Sequence, residues 1–205
     1  MKMGLVWGTR GMSLMEATVM LSVLSVLTAS MAPSVVDYVD DARRVRAASD
    51  VQVLAVGTAR FLFDGNEAPG RGGAGWRACD LLVGAGTTPE RGAGPGVEGW
   101  TASVESGAAC ALDDHLVTNR AGYAPMAAAR GSWLRHGWAG PYTGAVGPDP
   151  WGRRYAVNTR HLADRGAADT IVLSAGPDGV IDTPFGADGV SPVGDDLIAL
   201  ISSGR

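Results

Sequence analysis

The chain has 205 residues, of which 46% are hydrophobic and 19% are charged, and its formal net charge is -4. This composition is typical of one modest folded domain with attached segments, and it excludes disorder over the whole length. Because the net charge is negative, the chain has no basic field that would attract nucleic acid, and we expect no nucleic-acid partner.

The N-terminal region combines a short polar leader with a membrane-spanning helix. Residues 1–11 contain the cations Lys2 and Arg10, whereas the twenty residues from Ala17 to Val36 carry no charge. At about 1.5 Å per residue, such a stretch spans the roughly 30 Å hydrocarbon core of a bilayer, and we predict a transmembrane helix over 12–36. The cations favour a cytoplasmic leader, which would put the C-terminal domain in the periplasm.

Gly11 and Glu16 lie at the start of the apolar run. An ordinary secretory signal is cut after its apolar region, whereas cleavage after Gly11 would keep the helix and give Met12 a free amine. A carboxylate near the start of a membrane helix is costly without a partner. In a stack of subunits, the amine of one chain could pair with Glu16 of its neighbour. The alternative is a glutamate that reaches the membrane surface.

The stretch Gly11-Met12-Ser13-Leu14-Met15-Glu16, followed by an apolar run, resembles the processing signal of type IV pilins and type II secretion pseudopilins. The family usually has Phe after the glycine, where this chain has Met12. The resemblance implies a prepilin that a prepilin peptidase cuts after Gly11 and methylates at Met12. It also implies that Glu16 serves subunit assembly and that a single-pass inner-membrane protein later joins a filament.

Beyond the membrane segment, apolar residues recur every three to four positions, which predicts that the helix continues to about residue 63. The pattern consists of Val35, Val39, Ala42, Val45, Ser49, Val53, Val56 and Phe61. We interpret this stripe as the side that packs against a globular body. The predicted organisation is a cytoplasmic leader (1–11), the transmembrane half of the helix (12–36), its periplasmic half (37–63) and a globular periplasmic domain (64–205).

The middle of the chain offers little chemistry. Two G-x-G-x-x-G matches, at 70–75 and 94–99, lack the preceding strand and following helix of a dinucleotide site, so we interpret both as loops. The histidines are isolated from one another and from the cysteines, and no metal-ligand or nucleophile motif occurs. We therefore predict that the protein is not an enzyme. Cys79 and Cys110 permit one disulfide in an exported protein, the alternative being two buried thiols.

Two stretches in the C-terminal third resemble the major pseudopilin branch of the family, the GspG type. They are Gly-Trp-Ala-Gly-Pro-Tyr at 137–142 and Pro-Asp-Pro-Trp-Gly-Arg-Arg-Tyr at 148–155. Their turn residues and their aromatic residues Trp138, Tyr142, Trp151 and Tyr155 predict a packed corner that leads into a strand. We predict strands at 155–158, 169–174 and 196–201. The predicted fold is α+β, a pilin-like lollipop in which the long helix packs on a small antiparallel sheet.

Carboxylates are concentrated between the last two predicted strands, at Asp178, Asp182, Asp188, Asp195 and Asp196. Such an oxygen-rich, glycine-rich loop suits a hard cation such as Ca²⁺. It resembles the calcium loop of the major pseudopilins, which implies Asp178 and one or both of Asp195 and Asp196 as ligands. Asp182 and Asp188 are further candidates, and the alternative is a solvated acidic turn.

These features predict a structural subunit of a type II secretion pseudopilus, which assembles through its N-terminal helix and helps to drive protein export across the outer membrane. The implied partners are a prepilin peptidase, further copies of the chain, minor pseudopilins and the inner-membrane secretion platform. One alternative is a type IV pilin or minor pilin for adhesion, motility or DNA uptake. Another is a membrane-tethered periplasmic enzyme or binding module.

Overall fold

The computed structural model describes residues 11–65, 79–126, 136–162, 169–186 and 189–201. The chain divides into two units, the first ending at Ala42 and the second beginning at Arg43. Helix α1, Leu14–Gly65, has 52 residues and contributes to both units. Together with a small mixed sheet in the second unit, it makes the fold α+β.

In the first unit, α1 exposes apolar side chains on all sides. Every described side chain from Gly11 to Ala42 is exposed except that of Ala17, which is half-buried. Several serine and threonine hydroxyls, including those of Ser22, Ser25 and Thr28, donate to the helix carbonyl four residues earlier. This internal bonding lowers the cost of placing them in an apolar medium. By length and composition, α1 could span a membrane.

The second unit contains short strands and two short helices. The strands are β1 (Leu81–Val83), β2 (Glu90–Arg91), β3 (Ala109–Ala111), β4 (Ala156–Asn158), β5 (Thr170–Ser174), β6 (Val180–Ile181) and β7 (Leu197–Ile201). The helices are α2 (Glu98–Glu105) and α3 (Leu112–Leu116), and a 3₁₀ turn covers Arg160–Leu162. Five strands form one sheet in the order β3-β1-β4-β5-β7, and β2 pairs with β6 separately.

The three C-terminal strands of the main sheet, β4, β5 and β7, each begin one residue later than predicted. Their pairing is antiparallel, as predicted, and β1 is antiparallel to β4. However, β1 and β3 run parallel, so the sheet is mixed and the prediction of a purely antiparallel sheet was wrong. Because β1 and β3 have only three residues each, they are too short to show the period-two pattern that identifies a strand.

The predicted packing stripe of α1 lies on the wrong side of the helix. In the second unit, Phe61 is buried, but Val45, Ser49, Val53 and Val56 are exposed. The buried positions are instead Ala47, Val51, Leu54, Ala55, Gly57, Thr58 and Phe61. Several of these residues form one core cluster with sheet residues such as Leu82, Val157 and Val172.

Small residues explain which side of α1 faces the core. A side chain on Gly57 would approach the Tyr142 carbonyl oxygen to 3.1 Å and would overlap the Thr143 methyl group. The backbone of the second unit therefore comes close to the helix axis at this point. Ala47 and Ala55 lie on the same buried side. Periodicity alone could not identify this side, because it registers large apolar residues and gives little weight to small ones.

An aromatic cluster fills the space beside this part of α1. Phe61 makes edge-to-face contacts with Tyr123 and Tyr142, at ring-centroid distances of 4.8 and 5.3 Å. Trp138 packs on Tyr142 in the same way, at 5.9 Å. The Tyr155 hydroxyl donates to Asp50 Oδ2 at 2.9 Å, and burial raises the pKa of Tyr155 well above its ordinary value. The corner thus forms around α1 residues that the motif itself did not indicate.

The second glycine motif has more structure around it than predicted. Strand β2 precedes Gly94, and α2 begins at Glu98, so the interpretation of 94–99 as a loop was incomplete. The glycines there serve packing, because a side chain on Gly99 would overlap the ring of Phe185. Trp100 packs edge-to-face on that ring and donates to the Thr183 carbonyl at 2.9 Å. The other match, at 70–75, lies outside the described residues.

Candidate functional site

The predicted processing and assembly residues lie at the start of α1. Gly11, Met12 and Ser13 precede the helix, and the Glu16 side chain is exposed in its first turn. The Glu16 N–H donates to Ser13 Oγ at 3.2 Å, and the Ala17 N–H donates to the Ser13 carbonyl at 3.0 Å. Ser13 therefore caps the helix. Residues 1–10 lie outside the described residues, and cleavage, methylation and Glu16 pairing stay predictions.

The Ser13–Glu16 spacing also matters locally, for the start of the helix. A serine followed three residues later by glutamate is the pattern of a capping box, which marks a helix N-terminus. A carboxylate in the first turn is also favoured by the helix dipole. Glu16 therefore has a local reason to stand at the start of α1, in addition to any pairing with a neighbouring chain.

A second candidate surface is the exposed apolar side of α1 in the second unit, which we call the outer stripe. It consists of Val45, Val53, Val56 and Phe63, which are 71%, 56%, 67% and 84% exposed. Val45, Val56 and Phe63 are eleven and seven residues apart, which is about three turns and two turns of helix. They therefore project from one side. An aligned apolar surface of this kind suits packing against another helix.

The Asp-Pro-Trp-Gly stretch forms a turn that depends on Asp149. Its buried carboxylate accepts the N–H of Trp151 at 3.0 Å and the N–H of Arg153 at 2.8 Å through Oδ1. Through Oδ2 it accepts the Ser174 hydroxyl at 2.8 Å. Because Ser174 is the last residue of β5, this carboxylate joins the turn directly to the start of the acidic loop.

Arg153 makes the second connection between these two segments. Its Nη1 donates to the carbonyl oxygens of Gly176 and Pro177 at 3.0 and 3.1 Å. Its Nη2 donates to the carbonyl oxygen of Asp178 at 3.0 Å. The two motifs that the sequence shows as separate therefore form one bonded unit. The sequence alone does not indicate Arg153, Asp149 and Ser174 as its key residues, because their contacts depend on the three-dimensional turn.

The predicted calcium ligands are engaged with backbone N–H groups. Asp195 Oδ2 accepts the Asp178 N–H at 3.1 Å, and Asp178 Oδ1 accepts the Val180 N–H at 2.8 Å. Asp196 Oδ2 accepts the N–H groups of Asp182 and Thr183 at 2.9 and 2.8 Å. Burial raises the pKa of Asp196, although its hydrogen bonds partly oppose this shift. The four aspartates are thus linked as two pairs, Asp178 with Asp195 and Asp182 with Asp196.

As placed, these residues do not fit the calcium site that the resemblance implies. A Ca²⁺ ion takes six to eight oxygens, but the loop carbonyls of 176–178 are already bound by Arg153. Asp196 Oδ1 is a buried oxygen for which the described residues provide no hydrogen-bond partner. One such oxygen is far fewer than the ligands that Ca²⁺ requires. Asp188 lies outside the described residues, and calcium binding stays an untested prediction.

The structure joins Cys79 and Cys110 by a disulfide, which links the segment before β1 to β3. His115 lies beside it, with a ring nitrogen within 4.8 Å of both sulfurs, so the expectation of a histidine remote from the cysteines was wrong. His115 Nδ1 is 2.6 Å from the Tyr123 hydroxyl. Burial lowers the pKa of His115 to about 4, with Asp114 opposing the shift. Since the sulfurs are bonded to each other, this group is no metal-ligand set in the disulfide form.

No profile of a known protein family, no curated protein sequence and no solved structure gives a significant match to the chain. The roles of its residues therefore rest on their geometry and chemistry, together with the resemblance of the motifs at 11–16, 137–155 and 174–196.

Proposed function

We propose that this protein is a structural subunit with a pilin-like fold, made as a prepilin and assembled into the pseudopilus of a type II secretion system. In this proposal it first resides in the inner membrane with its C-terminal domain in the periplasm. It then assembles with further copies through α1. Its role is mechanical rather than enzymatic, and its other partners are a prepilin peptidase, minor pseudopilins and the inner-membrane secretion platform.

The outer stripe is the observation that carries the proposal. With 52 residues, α1 is about 78 Å long, so a hydrocarbon core of roughly 30 Å can cover less than half of it. The exposed apolar residues nevertheless continue to Phe63. A bilayer accounts for those near the N-terminus, and a second helix is the kind of partner that would cover Val45, Val56 and Phe63. Identical helices in a stack of subunits would cover both sets.

The start of the helix supports the same assembly. Cleavage after Gly11 would leave the capped helix on the mature chain and give Met12 a free amine. Within a bundle of helices, water is scarce, and an exposed Glu16 carboxylate requires a positive partner. The amine of a neighbouring subunit would supply it. The pairing would also fix the axial position of one subunit against the next.

Mass spectrometry of the mature chain tests the proposal at its first step. We expect the intact mass to show loss of residues 1–11 and a methylated Met12 when the chain is made in cells that contain a prepilin peptidase. As a matched control, Gly11→Val should keep the full leader, because the bulkier residue replaces the one before the cut. A wild-type chain that retains its leader while another prepilin in the same cells is processed would rule the proposal out.

A further inference from the structure

We infer that the guanidinium of Arg153 is the built-in cation of the 176–179 turn, so that this turn folds without a bound metal ion. The inference concerns the stability of the second unit. It goes beyond the proposed function and holds whether or not the chain forms filaments. Three features of the structure support it: the convergence of the carbonyls, the space at Gly179 and the anchoring of Arg153 by Asp149.

Three successive carbonyl oxygens converge on one group. Those of Gly176, Pro177 and Asp178 all accept N–H groups of Arg153, at 3.0, 3.1 and 3.0 Å. A turn that directs consecutive carbonyls to one point concentrates the negative ends of their dipoles, and a cation is the natural partner there. A guanidinium supplies a full positive charge and several donors in a fixed plane. It can therefore satisfy several carbonyls at once.

The turn leaves space for this group at Gly179. A side chain at this position would overlap the Arg153 guanidinium, and the backbone there has a φ of +76°, which favours glycine. The Gly179 N–H closes the turn by donating to the Ala175 carbonyl at 3.1 Å. Gly179 therefore combines a conformational role with an open surface against which the guanidinium lies.

Asp149 holds Arg153 in position. It accepts the Arg153 N–H through Oδ1 and the Ser174 hydroxyl through Oδ2, while the Asp149 N–H donates to the Arg153 carbonyl at 2.7 Å. The base of the arginine side chain and the beginning of the loop are thus tied to the same buried carboxylate. Because the cation is attached to the chain, its local concentration is high and independent of the medium.

The aspartates then have a different role from that of metal ligands. The carboxylates of Asp178, Asp195 and Asp196 accept backbone N–H groups of the loops and fix their shape. The resemblance to a calcium loop would persist under this arrangement, because the same turns and carboxylates are retained. Only the cation differs.

Thermal unfolding of the full-length chain in detergent, with calcium or with EDTA, tests the inference. We expect the wild-type Tm to be the same in millimolar Ca²⁺ and in EDTA. Arg153→Gln should lower the Tm by about 5 °C or more, because three charge-assisted hydrogen bonds are lost, and should speed protease cleavage within 176–182. Arg120→Gln is the matched control. Its guanidinium is exposed, and its ion pair with Asp114 is long, at 3.9 Å, so the pair adds little to stability. Its removal should therefore leave both readouts unchanged.

Two results would overturn the inference. One is a wild-type Tm that falls in EDTA and recovers with Ca²⁺, which would show that a metal ion holds the loop. The other is an Arg153→Gln chain as stable and protease-resistant as wild type. Should that variant fail to fold, Arg153→Lys supplies the measurement, because it keeps a charge and loses the planar fork. With both chains in EDTA, we expect Arg153→Lys to melt below wild type, and a Tm equal to that of wild type would contradict the role of the guanidinium.

Discussion

The two sides of α1 in the second unit are both apolar, yet they have opposite environments. Phe61 is 1% exposed, whereas Phe63, two residues later, is 84% exposed. The buried side includes small residues such as Ala47, Ala55 and Gly57, where the backbone of the body comes close. The outer stripe has branched and aromatic residues instead. The size of a residue's neighbours within the body, rather than its own hydrophobicity, thus decides which apolar side of α1 is buried, and small residues mark where the body comes close.

The largest effect on stability that we predict comes from replacing one of the two phenylalanines, Phe61 or Phe63, by alanine. Phe61→Ala should lower the free energy of unfolding by about 3–5 kcal/mol, because it leaves a cavity between Tyr123 and Tyr142. Phe63→Ala, the matched control, should change it by no more than about 0.5 kcal/mol. Urea unfolding of the full-length chain in detergent, followed by tyrosine and tryptophan signals, measures both. Similar costs for the two variants would show that the assignment of the sides is wrong.

A smaller predicted effect is the pH dependence of stability that arises from His115, near the buried side of α1. His115 contacts Tyr123, which packs on Phe61. The pKa of His115 is lowered from 6.5 to about 4 in the folded chain. The unfolded chain therefore binds the proton first as pH falls. The contribution of His115 to the free energy of unfolding is therefore fully present above about pH 6.5. It is lost as the pH falls toward 4, and the loss is about 3 kcal/mol.

The measurement is urea unfolding between pH 7 and pH 4, for wild type and for His115→Gln. The raised pKa of Asp196 acts in the opposite direction, because its folded form keeps a proton to higher pH. Only the difference between the two chains isolates the histidine. We expect His115→Gln to flatten the decline and His136→Gln, a change at an exposed position, to leave it as in wild type. Equal pH profiles for wild type and His115→Gln would contradict this role of His115.

Long or regularly patterned elements could be predicted from the sequence. The helix was expected to continue to about residue 63 and ends at Gly65, and β4, β5 and β7 start one residue from their predicted positions. Strands β5 and β7 contain apolar runs of several residues bounded by polar or turn residues, and β4 directly follows the turn-rich Asp-Pro-Trp-Gly stretch. Strands β1 and β3 could not be found this way. They are short, and their pairing depends on contacts between distant parts of the chain.

The candidate sites were predictable only in part, for a related reason. The motif at 11–16 is local, so its position at the helix start followed from the residues themselves. The side of α1 that faces the core depends on where Tyr142 and Thr143 approach Gly57, about 85 residues away in sequence. Likewise, the hydrogen bonds from Arg153 to the 176–178 carbonyls depend on the three-dimensional fold, and the distance between these residues along the sequence does not predict them. Oxygen-rich composition suggested a cation, but it could not indicate that the chain provides one.

Filament assembly by a Phe63→Ser chain is the most direct test of the central claim. Electron microscopy would count pseudopilus filaments in cells that contain the processing and assembly proteins, with Leu200→Ser as the control for loss of an exposed apolar side chain. We predict that Phe63→Ser is processed and folded like wild type but forms no filaments, whereas Leu200→Ser forms them normally. Filaments of wild-type number and length from Phe63→Ser would contradict the assignment of the outer stripe to subunit assembly.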